Sequence, residues 1–142
     1  MSTLYVMIEI DGRLAAIDAA DVQSVIEVGS IYPVPRAPGH IAGLTAMRSQ
    51  SLTVIDCRKA LGLPSQTVPE RAPVVRVADH SYALMVDRVD DVLESRSEPA
   101  AVPGNFGADW QRAGRGMIET DRGPALLVNV EALIAGPRAK AA

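Results

Sequence analysis

The chain contains one cysteine, Cys57, and only two histidines in 142 residues. A single thiol excludes an internal disulfide, and neither histidine stands at zinc-ligand spacing from it. Aromatic residues make up 4% of the sequence, so any core must be built from Val, Ile, Leu, Ala and Met. Positive charge is also in short supply. Fourteen Lys and Arg against 17 Asp and Glu leave a net charge of -3, which argues against nucleic acid as the main partner, because phosphate binding needs a basic face. No apolar run reaches the length of a bilayer-spanning helix. The N-terminal run lacks a basic lead and is interrupted by Glu9 and Asp11, unlike a secretory leader. P-loop, dinucleotide-glycine and G-x-S-x-G patterns are missing too. These absences predict a non-enzymatic, cofactor-free protein in a reducing, cytoplasmic setting.

What is present is β-forming sequence in short units. Leu4 to Ile10 and Leu14 to Ile17 flank a DGR turn and read as a hairpin. Val22 to Val28 reads as a strand, because its Val and Ile are β-branched and Gly29 ends it. Three prolines between Ser30 and Gly39 demand an extended connection. Ile41 to Gly62 reads as strand, polar turn with Arg48, strand ending at Asp56, and a brief helical turn. The polar stretch 65–73 reads as a linker and 96–110 as a mobile loop. Val74 to Val77 with Tyr82 to Val86, then Asp87 to Ser95, predict further strands. Gly116 to Val130 predicts a last hairpin before a short helix at 131–135 and a frayed tail.

The two halves repeat this plan. Residues 6–18 and 74–87 both run strand, polar turn, strand, aspartate, and V-x-x-V steps follow at Val22 to Val25 and Val89 to Val92. Thirteen positions separate Gly43 from Asp56, and the same number separates Gly116 from Asn129. Two units of about five short strands each predict a mostly β fold. Small barrels that share a core would hide both their edges and their apolar faces.

The order and spacing of these parts resemble the CheW-like domain family over roughly Leu4 to Ala135. The resemblance is carried by GLTAMRSQSLTVIDCRKALGL at 43–63, ALMVDRVDDV at 83–92 and LLVNVEALI at 126–134. It implies two five-stranded SH3-like β-barrel subdomains with short helical turns. Subdomain one is expected at about 15–80, and subdomain two at about 81–135 plus the N-terminal strand, with room for exchange of terminal strands. It also implies a non-catalytic adaptor joining a CheA-type histidine kinase to the cytoplasmic tip of a methyl-accepting chemoreceptor, touching membranes only through such receptors. A divergent module regulating another kinase outside receptor arrays is the alternative.

The resemblance places the partner-binding candidates at Val22, Ser24, Val25, Gly43, Arg48, Asp56 and Arg58. The family's usual Asn-Leu-Arg-Gly turn is here Ala46-Met47-Arg48-Ser49, and its frequent proline in the next strand is Thr53. Asp56 and Arg58 match the family's Asp-Leu-Arg step, and Ser24 stands where some members carry an acid. Arg48 has two open readings: a multidentate contact to a receptor carboxylate, or an internal ion pair with Asp56 or another acid. Val22, Val25 and Ile26 read as core or as the lining of a groove that takes a helix. The Asp87, Asp90 and Asp91 cluster reads as a solvated strand face. His40 and His80 read as surface residues, Cys57 as a buried inert thiol, and Trp110 as a plug for one end of the second barrel.

Overall fold

The computed structural model describes residues 3–65 and 69–137. The centre of the expected linker, 66–68, and the tail from 138 lie outside the described residues. Ten strands form two five-stranded sheets. They run β1 (Thr3–Ile10), β2 (Arg13–Asp18), β3 (Val22–Glu27), β4 (Ile41–Met47), β5 (Gln50–Asp56), β6 (Arg71–Val77), β7 (His80–Met85), β8 (Arg88–Ser95), β9 (Gly114–Thr120) and β10 (Gly123–Val128). Short helices α1 (Cys57–Ala60), α2 (Ala108–Ala113) and α3 (Val130–Ala135) fill the junctions. The fold is thus mostly β, with two SH3-like sheets.

The strand orders are β3-β6-β7-β5-β4 and β8-β1-β2-β10-β9. They superpose the repeat: the hairpin β6–β7 takes the place of β1–β2, and β4–β5 that of β9–β10. Each repeat therefore lends its leading hairpin to the sheet of the other. The first sheet spans Val22 to Met85, and the whole N-terminal hairpin joins the second, where the sequence had suggested a boundary near residue 80 and only one N-terminal strand. The cause is pairing geometry. β2 runs parallel to β10 through Leu126–Ala15 and Leu127–Ala16, just as β7 runs parallel to β5 through Val54–Ala83 and Ile55–Leu84.

Most inner strands read as continuous apolar runs because they are buried on both faces. Tyr5, Met7, Ala16, Ala125 and Leu127 point into the second sheet's own core. Their strand neighbours Val6, Ile8, Ala15, Ile17, Leu126 and Val128 point into a core shared by both sheets. In the first sheet, Leu52, Val54, Val74 and Ala83 fill the local core, and Ile55, Val75 and Leu84 reach the shared one. Small residues pack this centre where few aromatics are available.

Turn chemistry follows the same symmetry. Asp11 and Gly12 both have positive φ (52° and 75°) in the β1–β2 turn, as a two-residue hairpin loop requires. Ala78 and Asp79 (50° and 63°) form the corresponding β6–β7 turn without a glycine. Asp56 caps α1 by accepting from the Lys59 amide at 3.1 Å, and Asn129 caps α3 by accepting from the Ala132 amide at 3.2 Å. The thirteen-residue interval seen in the sequence is thus the distance from a positive-φ glycine at the third position of a strand to a helix cap.

Two stretches differ from the sequence expectation. The supposed loop 96–110 contains a 3-10 turn (Gly104–Phe106) and the first half of α2, because Trp110 inserts into the shared core and Phe106 packs beside it. The Arg13 guanidinium lies 4.3 Å from the Phe106 ring centre and 5.0 Å from that of Trp110. This cation–π pairing fixes the segment to β2. β6 starts at Arg71 rather than at Val74. Pro73 is accommodated opposite Val25 because pairing with β7 starts only at Val74.

Candidate protein-interaction site

The predicted residues fall into two groups. Val22, Ser24 and Val25 lie on β3, an edge strand of the first sheet, while Gly43 and Arg48 lie on β4 and its turn, at the opposite edge. The sheet curls so that these edges approach, and the Ser24 hydroxyl donates to Met47 Sδ at 3.7 Å. Val22 packs partly into the shared core, and Val25 is 41% exposed. Gly43 sits at φ 149° beneath the Tyr32 backbone, and an added Cβ would run into the Tyr32 carbonyl. That close approach lets Tyr32 and Leu44 exchange backbone hydrogen bonds of 2.8 and 2.9 Å.

Arg48 occupies the first position of a two-residue turn between paired Met47 and Gln50. It is exposed and adopts φ 58°. The positive φ that glycine would favour thus falls on the arginine and not on Ser49. Among the described residues Arg48 makes no ion pair, and Asp56 is engaged elsewhere. Further along the same edge, Leu44 (39%) in β4, Tyr32 (67%) bonded to it, and Val34 (39%) two residues on are exposed large apolar side chains. The sequence reading missed these three. Their signal was present in Tyr32 and Val34, apolar residues in a proline-bound connection that cannot bury them.

The second group, Asp56 and Arg58, lies at α1. Buried Asp56 accepts from Lys59 and from the Ser65 hydroxyl. Arg58 binds Asp87 with two near-parallel bonds, Nε to Oδ1 at 2.7 Å and Nη2 to Oδ2 at 2.6 Å, and lies 3.5 Å from Asp11. The Asp11 amide donates to the same Oδ2 at 2.8 Å. Asp87 is therefore no solvated strand residue. It joins α1, which follows the first sheet, to the β1–β2 turn of the second. The Arg58 hydrogen bond holds the Asp87 carboxyl below the usual carboxylate range, against the opposing effect of partial burial. Next to it, Cys57 is fully buried, and burial, then Asp56 and Asp87, push its thiol well above the ordinary range.

His40 is also buried, at 6% exposure, and is not a surface residue. Its Nε2 donates to the Ile134 carbonyl at 2.8 Å, and its ring packs against Gly136, whose φ is 85°. His80, by contrast, is exposed and bonds to the Thr53 hydroxyl at 2.9 Å. No group of three metal-ligating side chains occurs among the described residues. No described helix is long and apolar enough to cross a membrane.

Two related sheets around a common core, with an unpaired arginine and apolar side chains at one outer edge, define a protein–protein interaction module. The chain belongs to the CheW-like domain family, whose profile matches residues 4–138. It is 27% identical over 130 residues to a chemotaxis protein CheW of Thermotoga maritima, covering 89% of this chain and 83% of that one. A chemotaxis protein CheW of Treponema pallidum is 24% identical over 115 residues, covering 74% and 68%. The fold is similar to the crystal structure of the scaffolding protein TtCheW from Thermoanaerobacter tengcongensis, with a TM-score of 0.80, 23% identity and coverage of 94% and 88%.

Proposed function

We propose that this chain is a non-catalytic chemotaxis scaffold that couples a CheA-type histidine kinase to the cytoplasmic tip of a chemoreceptor. The observation that carries the reading is the open β4–β5 edge: an exposed Arg48 with no ion pair among the described residues, at the end of the strand that carries exposed Leu44 with Tyr32 bonded to it, in a chain of this family. A guanidinium offers several donors in a planar fork and suits a carboxylate on a partner surface. Exposed apolar side chains on the same sheet edge supply the water-excluding contact that raises such a pair above the small value of a solvated one. In this reading the first sheet docks the kinase's regulatory domain, and the groove between sheets takes the receptor tip. Coupling follows from holding two partners at one fixed angle, so that contacts with one shift the populations of the other. The test is co-purification and calorimetry of the full chain with its chromosomally adjacent kinase and with a receptor-tip fragment. Binding to both supports the scaffold, and a folded chain that binds neither overturns it.

A second reading is a CheW-like module serving a kinase outside receptor arrays. Ala46, Ser49 and Thr53 replace the family's usual residues around Arg48, and Thr53 is tied to His80. Binding to the kinase fragment with none to the receptor fragment would favour this alternative.

A further inference from the structure

The three short helices meet around one side chain whose contacts link the two sheets. Arg112, on α2, donates from Nη2 to the Ala60 carbonyl at 2.7 Å and from Nη1 to the Ala132 carbonyl at 2.9 Å. Ala60 ends α1, which grows directly out of β5 in the first sheet, and Ala132 lies in α3, which follows β10 in the second. One rigid guanidinium therefore holds corresponding helices of the two repeats. Carbonyls at or near helix C-termini carry negative partial charge, so a cation is the fitting bridge; the Ala132 carbonyl also accepts from the Gly136 amide at 3.1 Å and takes Arg112 as a second donor. The Ala60 carbonyl receives no bond from the amides that close α1, which go to Cys57, Arg58 and Lys59.

The geometry is specific to this bridge. Arg112 Nε is buried with no partner, an unfavourable state that the side chain keeps while spanning the two carbonyls. Asp109 stands 3.8 Å from Nη2 and faces Gly62 just past α1, so α2 abuts α1 along its end. Arg112 has no chemical counterpart in the first repeat, where the corresponding position, before His40, is Gly39. His40 nonetheless secures the same helix through Ile134.

We propose that Arg112 is a positioning residue that sets the angle between the two sheets, and through that angle the coupling of kinase to receptor. The part of this that concerns coupling rests on the scaffold reading above; the part that concerns the angle does not. The kinase surface lies on the first sheet alone and is left intact when Arg112 changes, so the kinase binds alone with its original affinity, whereas the receptor meets a less sharply set groove between the sheets. What weakens is the effect of one bound partner on the other.

The test uses Arg112→Met, which keeps the apolar stem and removes the donors, and Arg112→Lys, which keeps the charge but not the fork. Spin labels at Ser49→Cys and Asp121→Cys, one in each sheet's outer turn, report the inter-sheet distance distribution in the free full-length chain. Buried Cys57 does not take the label under native conditions. The expected result is a distribution broadened in Arg112→Met and less so in Arg112→Lys, with unchanged circular dichroism. Should Arg112→Met not fold, the Lys variant decides alone. Separately, the receptor fragment's effect on kinase activity through the unlabelled variant, read at saturating receptor fragment, falls roughly fivefold or more, while the kinase affinity stays as it was. A lower melting temperature with an unbroadened distribution would make Arg112 merely structural and overturn the proposal. A broadened distribution with no partner binding by even the parent chain would overturn the scaffold reading while leaving the positioning role in place.

Discussion

The β4–β5 and β9–β10 turns occupy corresponding places in the two repeats, yet among the described residues one has its arginine paired and the other does not. In the second, Arg122 reaches Asp90 on β8 at 2.8 Å, and Thr120 accepts from the Arg122 amide and donates to the Gly123 carbonyl. Ser95, on β8, also donates to the Glu119 carbonyl at 2.6 Å, closing the β8–β9 seam. The first turn has only the weak Ser24–Met47 contact across its seam, and Arg48 stands alone in a left-handed backbone conformation. Equal strand plans with unequal closure teach that the barrel itself does not require an arginine at this turn. A charge kept unpaired at a conformation costing about 1 kcal/mol is better explained by a contact outside the chain.

The largest effect should come from the glycines at the third positions of β4 and β9. Gly43 and Gly116 share a φ near 149° and 148°, and a Cβ would meet the Tyr32 carbonyl in one and the Ala100 carbonyl in the other. Gly43→Ala and Gly116→Ala should each lower stability by about 2–3 kcal/mol in urea unfolding. The comparison sharpens in binding. Gly43→Ala must displace Tyr32 from Leu44 and so weaken kinase binding even well below its melting temperature, whereas folded Gly116→Ala binds normally. Equal losses of binding would mean that the two hairpins do not differ in role.

How far the sequence could be read follows from the type of signal involved. Strands and the repeat were legible because glycine and proline act locally: the Gly43–Asp56 and Gly116–Asn129 intervals appear unchanged in space. Exchange of a terminal strand came only with the family resemblance, and that both strands of the hairpin cross was not legible, since β1–β2 has the same apolar pattern whichever sheet it joins. At the candidate site, Arg48 and Val25 emerged as exposed, but Arg58 resolved into an internal pair whose partner, Asp87, lies 29 residues away. Long-range ion pairs leave no local trace. His40 went wrong for the same reason: its partner is the Ile134 carbonyl, 94 residues on.

Asp87 offers the next largest effect, because it joins the sheets rather than belonging to either turn. Asp87→Asn removes the charge from two bonds to Arg58 and should cost about 1–2 kcal/mol. The sign of the pH dependence follows from its lowered folded pKa. The stabilisation is fully present above the unfolded carboxylate value of about 3.9 and is lost as pH falls through the depressed folded value. Acid titration of unfolding midpoints should therefore show a shallower fall below pH ~4 in Asp87→Asn than in the parent chain. A parallel fall in both would mean that Asp87 is not linked to folding in this way.

The two turn arginines give the smallest effects on stability and the cleanest contrast. Arg122→Ala breaks an exposed ion pair, so its unfolding midpoint should drop slightly at low salt and match the parent at high salt. Its partner affinities should not change. Arg48→Ala removes no internal bond among the described residues, so its midpoint should stay within about 0.5 kcal/mol of the parent at any salt. Its kinase or receptor affinity should nevertheless fall about tenfold. Arg48→Gly separates the two contributions at this position, since glycine takes φ 58° without strain. It should match or slightly exceed the parent in stability while losing as much affinity as Arg48→Ala. A glycine variant that bound normally would show that the turn's shape, and not the guanidinium, is what the partner recognises.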